Sequence, residues 1–206
     1  MILLILPTQY EFNILQFVMP EPLNGKVVVQ SPGMGKLRTL GCLYETLQKY
    51  GKLDWVILAG YAGSLDGKAL PLGEMVQATH FREGDFDAGE FESDAEHVIF
   101  YNNGNVVLNG GWKHCPFVSQ DRFLKTDPYR FGNPYATDME SYAVAKFCKS
   151  HGVRYSVVKV ISDVVGENSE RLFKDKALEL ADSMNYQITM ALYCVNQLLP
   201  DGGENA

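Results

Sequence analysis

Three carboxylates in this sequence stand where acid–base chemistry could use them. Glu11 lies in Thr8-Gln9-Tyr10-Glu11, Glu140 lies in Thr137-Asp138-Met139-Glu140, and Asp163 follows Ser162 directly after a β-branched run. Each has a local reading. The first two fit the S/T-x-x-E box that opens helices, and an acid after a strand commonly caps the next helix. Placement adds a second reading. Glu11 and Asp163 each follow a segment that reads as a buried strand, so parallel pairing would bring both to one crevice. Two separated carboxylates in a crevice suit cleavage of a glycosidic bond, one aiding the leaving group and one handling water.

The elements that must position these groups follow from apolar periodicity. Ile2 to Leu6 is a continuous aliphatic run closed by Pro7, and Lys26 to Gln30, Trp55 to Ala59 and Tyr155 to Ile161 are of the same kind. Such runs read as strands covered on both faces. Helical spacing appears over Thr8 to Met19 and over Lys36 to Tyr50, the latter with Leu37, Leu40, Leu43, Tyr44 and Leu47 on one stripe. It appears again over Asp138 to His151, closed by Gly152, and over a long final helix from about Ser169 to Leu199. The middle, Leu72 to Val118, is rich in Gly, Asn, Val and aromatics and reads as strands and loops. The expected fold is a single α/β domain over residues 1–199, a mixed central sheet flanked by helices, with a flexible tail at 200–206. In such folds ligands bind beyond the carboxyl ends of strands.

Other chemistries find less support. Ser31-Pro32-Gly33-Met34-Gly35-Lys36 resembles a phosphate loop, but Gln30 and Leu37 break the Walker A pattern and Arg38 breaks G-x-G-x-x-G. It reads as a tight strand-to-helix turn or as backbone facing a ligand. The four histidines lack ligand spacing, and the four cysteines (Cys42, Cys115, Cys148, Cys194) form no C-x-x-C pair. They read as buried thiols in a reducing cytoplasm, so no metal and no cofactor are expected. The 206 residues carry a formal charge of -7, which disfavours nucleic acid as a partner. No run approaches the roughly 20 apolar residues that span a bilayer, and the apolar start lacks the basic region of a signal peptide.

Ala136-Thr137-Asp138-Met139-Glu140-Ser141, followed by Val158-Lys159-Val160-Ile161-Ser162-Asp163-Val164, resembles the paired signature of the nucleoside phosphorylase superfamily. Within it the sequence is most similar to 5′-methylthioadenosine/S-adenosylhomocysteine nucleosidases, with their M-E helix start and I-S-D strand end. Gln9-Tyr10-Glu11 resembles the region of the family's N-terminal catalytic glutamate. Ser31 to Lys36 resembles its S-G-I-G-K loop, Gly60-Tyr61-Ala62-Gly63 its G-S-A-G turn, and Val118 to Leu124 its V-S-G-D-A-F-I loop. The resemblance implies that Asp163, beside Ser162, protonates N7 of a purine and that Glu11 takes a proton from the attacking water. It implies that Glu140 binds ribose hydroxyls, Met139 packs on the sugar, Phe123 stacks on the base, the Leu124 backbone meets the base edge and Phe173 covers the 5′ substituent. It also implies a homodimer acting on a small purine nucleoside.

Two departures bear on substrate and mechanism. Tyr61 stands where the family usually has a serine that helps hold the attacking water, so it either displaces that role or points into the sugar or 5′ pocket. Thr8 and Gln9 are more polar than the usual Ala-Met pair. A polar-tailed nucleoside such as futalosine is therefore an alternative substrate. A phosphorylase is disfavoured because Gly60 to Ser64 holds no cation for phosphate. A non-catalytic nucleoside-binding protein is disfavoured because Glu11, Glu140 and Asp163 are all present.

Overall fold

The computed structural model describes residues 1–14, 16–86, 98–100, 104–126, 135–166 and 168–199. Eight strands form one mixed sheet: β1 (Ile2–Ile5), β2 (Val27–Gln30), β3 (Trp55–Ser64), β4 (Met75–Glu83), β5 (Val98–Phe100), β6 (Lys113–Ser119), β7 (Ala136–Asp138) and β8 (Arg154–Val164). Helices α1 (Gln9–Ile14), α2 (Lys36–Tyr50), α3 (Ser141–His151), α4 (Ser169–Lys176) and α5 (Ala181–Leu198) flank it. This is the α/β architecture expected from the sequence.

β1 pairs in parallel with β2 and with β3, and β3 pairs in parallel with β8. β8 runs antiparallel to β4, β4 parallel to β6, β6 parallel to β7, and β7 returns antiparallel to β3. The pairings therefore close on themselves through β3, β8, β4, β6 and β7, and β1 and β2 extend the sheet from β3. The aliphatic run of β1 is buried on both faces, as its composition requires. Leu3 and Ile5 join one core with Val56, Leu58 and Phe147, while Ile2 and Leu4 join a second with Ile57, Val160, Met184, Ile188 and Leu192.

Several boundaries differ from expectation. The first helix ends at Ile14 rather than Met19. Beyond it the backbone turns to α5, where Gln16 N–H donates to Asn185 (2.7 Å) and Val18 N–H to Thr189 (3.1 Å). The segment Gly60 to Gly63 is not a turn after β3 but the end of that strand, and Asp163 lies inside β8 rather than after it. The stripe of α2 is narrower than predicted: Thr39, Leu43 and Thr46 face inward, whereas Leu37 is 81% exposed and Tyr44 48%. Cys42 is only half-buried, and all four cysteines are unpaired.

The single final helix is in fact two. α4 stops at Lys176, and α5 starts at Ala181, packed on the second core. The break contains neither proline nor glycine. At the point where α4 ends, the Tyr61 hydroxyl donates to the Ala177 carbonyl at 2.6 Å. Parts of the predicted β-rich middle (87–97 and 101–103) and the predicted tail at 200–206 lie outside the described residues.

Candidate active site

A cleft opens where β3, β7 and β8 end and where α1 begins. Every residue singled out in the sequence lies on it: Glu11, Tyr61, Phe123, Leu124, Met139, Glu140, Ser162, Asp163 and Phe173. Pro7, Thr8, Met34, Arg122 and Asp138 complete the wall at the points that matter for its charge.

Two glycines of β3 form the floor beneath two of the acids. A Cβ on Gly60 would sit 2.5 Å from Glu11 Oε1, and Gly60 has φ +144°, so only glycine lets that carboxylate lie against the strand. Three residues on, a Cβ at Gly63 would come within 3.0 Å of Asp163 Oδ2. β8 aims the second acid by a bulge. Ala62 pairs with Ile161 and Gly63 with Asp163, so Ser162 is an extra residue that breaks the alternation of faces. In an unbroken strand Asp163 would share the face of Ile161, which packs in the core. Instead it reaches the cleft, and the displaced Ser162 hydroxyl donates to its Oδ1 at 2.9 Å. Burial pushes the Asp163 carboxyl up to about 6, against the opposing effect of that hydroxyl. An acid so tuned carries a proton at mildly acidic pH and can donate it.

Glu11 combines both of its sequence readings. Thr8 and Glu11 form the capping box, with Thr8 N–H donating to Oε2 at 2.8 Å and Glu11 N–H donating to Thr8 Oγ1 at 3.0 Å. The same carboxylate lines the cleft and accepts Tyr61 N–H on Oε1 at 3.0 Å. Glu140 does not cap its helix. Asp138 takes that place, accepting Ser141 N–H (3.1 Å) and the Ser141 hydroxyl, together with the Ser119 hydroxyl (2.7 Å). Freed from capping, Glu140 turns to the cleft and accepts Gly35 N–H at 3.0 Å. Burial drives the Glu140 carboxyl upward, and the nearby Lys159 charge opposes this.

Lys159 is the functional candidate that motif reading passed over. It is fully buried, with Nζ 3.6 Å from both Asp138 Oδ2 and Glu140 Oε2. Burial alone would lower its pKa, but the carboxylates of Asp138, Glu140 and Glu11 outweigh it and hold the ammonium charged. The signal was present: a lysine inside Val157-Val158-Lys159-Val160-Ile161, a strand buried on both faces, must find a counter-charge.

The aromatic residues form one wall. Phe173 on α4 meets Tyr61, Phe123 and Tyr10 at centroid distances of 5.9, 6.1 and 6.5 Å. Phe123 is 37% exposed at the mouth, whereas the Tyr61 ring is buried and its hydroxyl is tied to Ala177. Tyr61 thus contributes a ring face and a backbone N–H, and its hydroxyl points to α4. Leu124 is buried, and its carbonyl accepts the Ser169 hydroxyl at 3.0 Å, which fixes the loop after β6 against α4. Among the described residues, no group of three or more His, Cys, Asp or Glu is placed to hold a metal ion. No helix among them is long and apolar enough to cross a membrane.

The closed mixed sheet, with carboxylates after β1, after β7 and near the end of β8, has a nucleoside phosphorylase-like fold. In sequence the chain is similar to several bacterial proteins named 5′-methylthioadenosine/S-adenosylhomocysteine nucleosidase. It is 28% identical to the Bacillus velezensis enzyme of that name over 183 residues, covering 76% of this chain and 75% of the relative. The S-adenosylhomocysteine nucleosidase of Streptococcus pyogenes, solved with 5-methylthiotubericidin, superposes with a TM-score of 0.76 at 16% identity, over 97% of both chains. The futalosine hydrolase of Helicobacter pylori superposes with a TM-score of 0.71 at 20% identity, over 92% of this chain and 96% of that one. No family model matches the chain.

Proposed function

We propose that the protein hydrolyses the N-glycosidic bond of a 5′-modified purine nucleoside of the methylthioadenosine or S-adenosylhomocysteine type. The observation that carries this reading is the convergence of Glu11 and Asp163 on one cleft, each lying against a glycine of β3 three residues from the other's. In this mechanism Asp163 gives its proton to N7, and the electron pair of the C1′–N9 bond passes into the purine, which leaves neutral. Water attacks the oxocarbenium-like carbon, its oxygen bonding to C1′ while its proton passes to Glu11. Glu140 accepts hydrogen bonds from the ribose hydroxyls, and Met139 packs on the sugar. Phe123 faces the base, the Leu124 backbone meets its edge, and Phe173 with Tyr61 encloses the 5′ group.

Water rather than phosphate is the nucleophile in this reading, because the anion seat at the start of α2 is already filled. Gly35 N–H donates to Glu140 and Lys36 N–H to Asp121 (2.8 Å), while Lys36 Nζ pairs with Glu83 (3.1 Å) and Asp85. A phosphate would have to displace carboxylates from the donors it needs.

We also propose a cytoplasmic homodimer that binds no nucleic acid. Support for the dimer comes from exposed apolar side chains: Met34 and Phe123 on the cleft itself, Tyr10 and Phe12 on α1, and Leu37 at the start of α2. The unpaired cysteines fit a reducing compartment. The decisive experiment measures free base released from methylthioadenosine, S-adenosylhomocysteine, futalosine, inosine and adenosine, with and without phosphate, beside Asp163→Asn. Release without phosphate that disappears in the variant supports the hydrolase, and the preferred nucleoside fixes the 5′ group. Release only with phosphate overturns it in favour of phosphorolysis, and no release from any nucleoside points to a binding protein. Sedimentation of wild type and Leu37→Glu tests the dimer.

A further inference from the structure

Glu11 accepts three hydrogen bonds, and two of them come from Thr8. Its backbone N–H and its hydroxyl both donate to Oε2, at 2.8 and 2.7 Å, and Tyr61 N–H donates to Oε1 at 3.0 Å. A capping box needs the cap hydroxyl only as an acceptor for the backbone N–H three residues on, and Thr8 Oγ1 does accept Glu11 N–H at 3.0 Å. The hydroxyl also has one proton to give, and it gives it to the carboxylate. The helix gains nothing from that second bond. The carboxylate does, because a donor to Oε2 fixes its plane against Gly60.

We propose that Thr8 is a positioning residue for Glu11, holding its carboxylate oriented to take the proton of the attacking water. The proposal rests on the function assigned above. It follows from where the other nearby hydroxyl points. Tyr61, which also lines the cleft, directs its phenol to the Ala177 carbonyl and leaves Glu11 only a backbone N–H. Thr8 is therefore the side-chain donor to the base. The charged groups that face Glu11 are Glu140 at the start of α3 and Lys159 on β8, with Asp163 on the same cleft.

The test compares wild type with Thr8→Val, Thr8→Ser, Thr8→Gly and Glu11→Gln, using kcat and KM for 5′-methylthioadenosine and thermal melting by circular dichroism. Thr8→Val is expected to lose about 10- to 100-fold in kcat, the effect of one hydrogen bond to a charged group, with KM within about threefold. Thr8→Ser restores the rate to within about threefold. Thr8→Gly still caps α1 at a cost of about a few tenths of a kcal/mol but has no hydroxyl to donate, so it nearly keeps the melting temperature and shares the kinetic defect. It carries the test if Thr8→Val does not fold. Wild-type kcat in Thr8→Val, or in Thr8→Gly, beside an inactive Glu11→Gln, overturns this proposal alone. A fully active Glu11→Gln overturns the assignment of the base and this proposal with it.

Discussion

The backbone N–H of Gly35 donates to the Glu140 carboxylate at 3.0 Å, across 105 positions of sequence. This bond joins the glycine turn before α2 to the start of α3 and turns Glu140 toward the cleft. The turn depends on glycine, since Gly35 has φ +107° and a Cβ there would lie 3.2 Å from Asp121 Oδ1. Gly35→Ala is expected to cost about 1–3 kcal/mol in urea denaturation, the usual strain of a side chain in that region. It should also raise KM more than it lowers kcat, because Glu140 is assigned to sugar binding. An unchanged KM would detach Gly35 from the site.

Asp163→Asn separates activity from stability. Loss of the proton donor should lower kcat by about 10²- to 10⁴-fold. The pKa of Asp163 rises from 3.8 to about 6 on folding, so between those values the folded state holds more protons than the unfolded one. Wild-type stability therefore falls, on account of this group, as pH rises from about 4 to 6, and the loss is complete above that window. Asp163→Asn lacks that penalty. Its advantage over wild type should be absent near pH 4 and reach the order of 1–3 kcal/mol at pH 7. Paired denaturation curves at the two pH values check this, and equal differences at both would sink it.

Lys159→Met removes the one cation within 4 Å of Asp138 and Glu140 among the described residues. Two buried carboxylates are then left to repel each other, and breaking such a pairing typically costs about 3–5 kcal/mol. Glu140, already raised chiefly by burial, loses the charge that opposes the shift and moves further up. The variant should thus recover stability relative to wild type as pH falls and Glu140 protonates. Melting temperatures from pH 5 to pH 8 test it, and a pH-independent difference would argue for a packing role alone.

How far the sequence discloses this molecule depends on the range of the interactions involved. β1 and α2 are legible because a continuous aliphatic run ended by Pro7 and a 15-residue amphipathic stretch between glycines carry their own instructions. The approach of Glu11 to Asp163 is legible from two strand ends and the assumption of parallel pairing. Glu140 is harder. Asp138 and Glu140 compete for one helix start, and Ser119, Lys159 and Gly35, all distant in sequence, decide between them. The bulge at Ser162 and the continuation of β3 through Gly63 leave no local trace, since both are fixed by pairing between strands.

The division of the last helix shows the same limit and yields a prediction of its own. Tyr61 lies 116 positions before Ala177, yet its hydroxyl holds the carbonyl at which α4 ends. α4 carries Phe173, whose ring packs 5.9 Å from that of Tyr61 across the cleft wall. Tyr61→Phe keeps the ring but leaves a buried carbonyl without this donor, a loss of about 1–2 kcal/mol. The effect should be local before it is global. Amides at the end of α4 and in the turn at 177–180 should exchange hydrogen faster than in wild type, while those of β1 and β3 change little. With the Phe173 wall less firmly set, KM for a nucleoside with a bulky 5′ substituent should rise more than for adenosine. Unchanged exchange at 173–180 would mean that α4 is placed by its packing on β8 and that the hydroxyl merely reports the break.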